Sequence, residues 1–125
     1  MTASWSPEDL RRLDAAWELE IAVKRSDGSL LRWVPIWVLC AGGRPYVRTW
    51  YRRDTGWFGH ALRCRQARIR VPGLEADVTI DDISDTSAEV TADVDAAYLA
   101  KYGRSGAGSM VTAAAAATTL RLNPE

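Results

Sequence analysis

The chain opens on a polar segment, Ser6-Pro7-Glu8-Asp9, and then moves through blocks of helical and strand periodicity. Ser6 suits a helix cap, and proline is tolerated at the first helical position. The two acids complement the positive end of the helix dipole, so a short helix is predicted to about Ala16. Leu19, Ile21 and Val23 then alternate with Glu18, Glu20 and Lys24, the period of a half-buried strand. Ser26-Asp27-Gly28 reads as a hairpin turn. Leu31 to Cys40 is nearly all apolar and predicts one strand covered on both faces, with Pro35 marking a bulge or an unpaired edge. Ala41-Gly42-Gly43 turns the chain into a third strand, Tyr46 to Trp50, which puts Tyr46, Arg48 and Trp50 on one face.

Arg52 to Gly56 reads as a loop. Trp57 to Cys64 has helical spacing, with Trp57, Ala61 and Cys64 on one side. Arg68–Val71 and Ala76–Ile80 form a hairpin about Pro72-Gly73. A helix is predicted from about Ser87, with Val90, Val94, Ala97 and Tyr98 as its stripe. Lys101 in the last turn and Gly103 just beyond it are a stop signal. The remaining segment combines glycines, five consecutive alanines and the alternating Thr118 to Leu122. It predicts a loop, a turn or two of helix and a last strand. About six strands with few, short helices imply a small antiparallel barrel, because closure removes exposed edges. Residues 1–125 are expected to form a single domain of this mainly β, α+β kind.

Charge changes the picture. The formal net charge is zero, yet Arg44 to Arg70 holds eight arginines and one acid, while Glu75 to Asp95 holds eight acids and no base. The basic block is rich in aromatic residues, a combination that can serve nucleic acid. The acidic block would repel a nucleic-acid backbone, so no nucleic-acid partner is expected. No apolar run is long enough to span a bilayer, so no membrane partner is expected either. MTASWSPEDL has neither a basic start nor an apolar core, so no secretory signal is expected and a cytoplasmic location is. Cys40 and Cys64 have no metal or redox spacing and read as reduced packing residues. With a single histidine, no metal site is expected.

The basic stretch carries the candidate chemistry. Arg48 presents a planar fork of donors for phosphate or carboxylate, and Trp50 on the same strand face offers a flat surface for a ring. Arg52 lies in the following loop and Arg63 on the following helix. That helix begins near Trp57 with the positive end of its dipole, which favours an anion. His60 is the default acid/base candidate, and Tyr51 is a second possible proton or hydrogen-bond donor. Lys101, Tyr102 and Arg104 close the acidic helix. They are either a C-terminal cap or a contribution to a partner subunit's site.

The strand RPYVRTWYR, the helix opening WFGHAL, the basic hairpin RIRVPGLEADVTI and the closing segments AAYLAKYGR and ATTLRL together resemble a family of small bacterial proteins in the flavin-binding split-barrel superfamily. That superfamily also includes pyridoxamine phosphate oxidase-like and deazaflavin-dependent nitroreductase-like proteins. The resemblance runs from about Trp5 to Leu122. It implies a homodimer of split barrels, with FMN or a deazaflavin bound near Arg48 to Trp57 at the subunit interface, and an oxidoreductase activity. Arg48, Trp50, Arg52, Trp57, Arg63, Lys101, Tyr102 and Arg104 are then the cofactor-binding candidates, with Tyr51 and His60 as the catalytic ones. The asparagine-containing motif of the nitroreductase-like branch is replaced here by Phe58-Gly59-His60-Ala61-Leu62. A protein without cofactor therefore stays open: a cyclase, isomerase, lyase or binding protein for an aromatic or anionic small molecule in the same pocket.

Overall fold

The computed structural model describes residues 5–49, 56–83, 88–103 and 111–125. Helix α1 (Pro7–Ala15) starts where the sequence places it, with the Ser6 side chain accepting from the Asp9 backbone N–H at 3.1 Å. Strand β1 is Leu19–Val23. The Asp27 carboxylate ties the turn after it by accepting from the Ser29 N–H at 2.9 Å, and Gly28 takes the positive φ of 89° that the turn requires. The long apolar run then departs from expectation. It forms two short strands, β2 (Val34–Ile36) and β3 (Leu39–Ala41), separated by Trp37 and Val38. Strand β4 is Arg44–Val47, and helix α2 is Gly56–Cys64. Strands β5 (Gln66–Val71) and β6 (Leu74–Asp82) form the predicted hairpin. Its Gly73 has φ +83°, and a Cβ there would come within 2.9 Å of the Arg12 side chain. Helix α3 is Ala88–Tyr102, followed by the single-turn α4 (Ala113–Ala116) and strand β7 (Leu120–Pro124).

Seven antiparallel strands, rather than about six, make one sheet in the order β2-β1-β5-β6-β7-β4-β3. The extra strand comes from the break at Trp37-Val38. Laid flat, strands β2 and β3 at the two ends would stand about 29 Å apart. The chain between Ile36 and Leu39 can span only about 11 Å. The sheet must therefore curl until β2 and β3 come together at Trp37-Val38, which makes it a half-barrel whose end strands, among the described residues, are not paired with each other. Pro35 sits in the terminal strand β2 opposite Glu20. Its missing N–H faces no further strand there, the edge placement its chemistry demands. Pro35 and Arg32 are exposed, so the run is not covered on both faces as predicted.

Inward-facing Ile21, Val23, Ile69, Val78, Ile80, Leu120 and Leu122 fill the barrel, joined by Leu13 from α1 and Phe58 and Ala61 from α2. A second, smaller layer packs Val94, Tyr98 and Tyr102 of α3 against Leu39 of β3 and Tyr46 of β4, with Ile83. The outer sheet face is polar and laddered with charge. Arg68 meets Asp77 at 3.0 Å, Arg70 meets Glu20 at 3.0 Å, and Arg121 meets Asp81 at 3.1 Å. Hairpin pairing brings β5 of the basic block beside β6 of the acidic block and joins them at Arg68–Asp77, while Arg70 and Asp81 pair with residues outside the two blocks. The Arg68 hydrogen bond holds the Asp77 carboxyl below its usual range.

Candidate functional site

Arg48 follows β4 and is 1% exposed. Its Nε donates to Thr119 Oγ1 at 2.8 Å, its Nη1 forms an ion pair with Asp95 of α3, and its guanidinium lies 5.4 Å from the centre of the Tyr98 ring. The strand alternation placed Arg48 on the face of Tyr46, and that face is covered by α3 rather than by open space. Arg48 is therefore a keystone between β4, β7 and α3. The neighbouring Thr49 is tied to Thr118 in both directions, at 3.0 and 2.9 Å. Burial raises the Tyr98 hydroxyl pKa strongly, so this phenol stays protonated.

The end of α3 forms a second polar knot. Tyr102 Oη donates toward the Trp17 carbonyl at 2.6 Å and lies 3.0 Å from the Val38 carbonyl, while the Val38 N–H donates back to it at 3.2 Å. Lys101 Nζ donates to the Val38 carbonyl at 2.6 Å. The Tyr102 ring stacks on Trp37 at 4.0 Å between centroids, and Trp17 meets it edge-on at 4.6 Å. Lys101 and Tyr102 thus hold the short link between β2 and β3. Burial raises the Tyr102 hydroxyl to about 12 and lowers the Lys101 ammonium. Burial also pushes the Cys40 thiol up to about 11, with Asp14 adding to the effect, so this cysteine is a packing residue. Cys40 and Cys64 are both free thiols.

A third place is open. A cleft of about 210 Å³ lies between the start of α2 and the β1–β2 region, lined by Gly56, Trp57, His60 and Arg32 with apolar Val23, Leu31 and Val34. Trp57 packs edge-on against Phe58 at 5.5 Å, which fixes its ring, and Phe58 is anchored in the barrel core. His60 lies one turn along α2, and its Nδ1 is 3.0 Å from an Arg63 guanidinium nitrogen. Arg32 is exposed and has no ion-pair partner among the described residues. Among the described residues, the cleft is positive from Arg32 and the α2 dipole, apolar on its walls, and carries one aromatic ring and one imidazole. It suits a planar anion.

Of the predicted site residues, the structure brings Trp57 and His60 together at this cleft, with Arg63 behind His60. It places Arg48, Lys101 and Tyr102 elsewhere, in structural knots. Trp50, Tyr51, Arg52 and Arg104 lie outside the described residues. Sequence reasoning missed Arg32. The available signal was its isolation, as the only charged residue in Leu31-Arg32-Trp33-Val34-Pro35-Ile36-Trp37-Val38-Leu39-Cys40. It missed Asp95 and Thr119 as well, whose roles depend on the packing of α3 and β7 over Arg48. Among the described residues there is no cluster of His, Cys, Asp and Glu able to hold a metal, and no helix long and apolar enough to cross a membrane.

The same architecture recurs in solved structures. A conserved hypothetical protein of Mycobacterium tuberculosis, Rv2991, superposes with a TM-score of 0.69 at 11% identity, covering 99% of this chain and 82% of the other. The heme storage protein HutZ of Vibrio cholerae gives 0.66 at 13% identity, covering 98% and 92%. An F420 reductase gives 0.53 at 14% identity, covering 92% and 91%. The fold is that of the flavin-binding-like split barrel. Within it, the chain belongs to the family described as an uncharacterized protein conserved in bacteria (DUF2255), whose model matches residues 9–122. No curated protein matches the sequence.

Proposed function

We propose that this protein binds a planar, anionic small molecule in the α2 cleft and works as an oxidoreductase with FMN or a deazaflavin. The observation that carries the reading is the convergence of Arg32, Trp57, His60 and the start of α2 on one cleft. Likeness in fold to an F420 reductase adds support for a deazaflavin. The residues fit the anionic end and a ring: Arg32 and the first turn of α2 would hold a phosphate, and Trp57 would carry a ring face. The cofactor, when bound, supplies hydride chemistry. The chain's own residues bind the anion, orient the ring, and present an imidazole at His60.

The cleft of about 210 Å³ is smaller than the roughly 300–1,000 Å³ of sites that bury a drug-sized ligand. A whole flavin therefore needs further walls, and a homodimer is the proposed source of them. Small domains also leave much surface wet, which favours association. A cofactor-free reading is favoured by one observation. Arg48, the arginine that the sequence points to for phosphate, is already ion-paired with Asp95. On that reading the cleft serves a smaller substrate of a cyclase, isomerase or lyase, or a bound ligand.

The absorbance spectrum and native mass of the purified protein, followed by titration with FMN and with a deazaflavin, test the proposal. A yellow dimer, or micromolar uptake of either cofactor that Arg32→Gln weakens, is the expected result. A colourless monomer indifferent to both cofactors defeats the oxidoreductase reading.

A further inference from the structure

The contact between Arg63 and His60 has a chemical consequence for the cleft. A guanidinium can only donate hydrogen bonds, so a hydrogen bond across the 3.0 Å between the Arg63 guanidinium and His60 Nδ1 requires an Nδ1 that accepts. A neutral imidazole then carries its hydrogen on Nε2. This nitrogen has no partner among the described residues, and His60 lines the cleft. The ring is consequently set as a donor rather than as a base. Among the described residues, the charged groups beside it are Arg32, which lines the same cleft from the β1–β2 connection, and Arg63 on its own helix, both cationic. The other lining residues, Gly56, Trp57 and the three aliphatic ones, do not ionise.

Size and polarity narrow the occupant. A cavity of about 150 Å³ suffices for a benzene ring. About 210 Å³ leaves room for a ring with one small polar substituent. We infer that the cleft takes a small planar aromatic carboxylate, its carboxylate held between Arg32 and the Nε2–H of His60 and its ring set against Trp57. Arg63 acts as a positioning residue that fixes the tautomer. The inference rests on the reading of the α2 cleft as the ligand site. It names the chemical class of the molecule held within one chain, and a flavin that used Arg32 and Trp57 would compete with it for the same cleft.

The chain has a single histidine, so long-range ¹H–¹⁵N correlation on the uniformly labelled protein reports the tautomer without ambiguity. The expected form is Nε2–H in the native protein, becoming a mixture in Arg63→Gln. Benzoate is the probe, with benzamide as a neutral planar control and cyclohexanecarboxylate as a non-planar one. Benzoate should shift the His60 Nε2 and Trp57 indole signals and bind at least tenfold tighter than either control. Arg32→Gln should weaken benzoate at least tenfold, and Arg63→Gln severalfold. An Nδ1–H tautomer in the native protein, equal binding of benzoate and benzamide, or indifference to Arg32→Gln would overturn the assignment. Uptake of FMN with no benzoate site removes this inference and leaves the oxidoreductase reading standing. A benzoate site with no uptake of either cofactor does the reverse.

Discussion

Beneath α3, Arg48 is 1% exposed and bound to Asp95 and Thr119, with Tyr98 beside its guanidinium. At the rim of the α2 cleft, Arg32 is exposed and unpaired among the described residues. The two side chains have the same donors and charge. One has its charge neutralised within the fold and joins three elements, while the other keeps its donors available to a ligand. The difference lies in the surroundings. A desolvated guanidinium must find a carboxylate and acceptors or the buried charge is prohibitive, whereas an exposed one costs almost nothing to leave open. Function in this molecule is therefore to be sought where polar groups are left without internal partners.

The comparison breaks most easily at its buried end. Arg48→Ala strands Asp95 and empties the space beside Tyr98, and should cost about 3–5 kcal/mol in urea unfolding. Benzoate affinity should be unchanged wherever the variant is folded. A loss below about 1 kcal/mol would show that the pair is not a structural keystone.

Tyr102→Phe comes next. It removes the hydroxyl that bridges Trp17 and Val38, and should cost about 1–3 kcal/mol near neutrality. The fold raises the Tyr102 hydroxyl from 10.0 to about 12, because burial penalises the phenolate. Its stabilising contribution is therefore fully present below pH 10 and is lost as pH rises through about 12. The gap between native protein and Tyr102→Phe should narrow over that window, as followed by denaturation at a series of pH values. A constant gap would remove burial of the hydroxyl as the cause.

Smaller still is Arg68→Ala, which deletes an exposed partner of Asp77 and should cost under about 1 kcal/mol, less at high salt. Smallest for stability is Arg32→Ala, expected within about 0.5 kcal/mol of the native protein, together with an at least tenfold loss of benzoate binding by NMR titration. A large stability loss at Arg32 would place it among the structural arginines and erase the contrast with Arg48.

Much of the fold was legible because the local patterns were unambiguous. The Ser6 cap, the β1 alternation, the β5–β6 hairpin at Pro72-Gly73 and the Gly103 stop all appear where periodicity and turn chemistry put them. The run from Leu31 to Cys40 was misjudged as one strand, because a short apolar run looks the same whether it stays in one place or crosses from one sheet edge to the other. The break at Trp37-Val38 is held by Tyr102 and Lys101, more than 60 residues away in sequence, and no local pattern encodes that. For the site, helical spacing correctly put Trp57 and His60 on α2. Strand alternation correctly gave the face of Arg48, but could not say what covers it.

Composition and periodicity by themselves determined a small, mainly β domain, its helix boundaries, and a concentration of arginine and aromatic residues in its middle. These follow from interactions within a few residues, where geometry is set by the backbone. Only the tertiary structure decided that the sheet curls until its end strands come together at Trp37-Val38, that Arg68 pairs with Asp77 across it while Arg70 and Asp81 find partners outside the two blocks, and which arginine lines an open cleft. Those outcomes depend on burial and on partners distant in the chain, and a side chain's chemistry is available for function only after the fold has determined which of its bonds are already made.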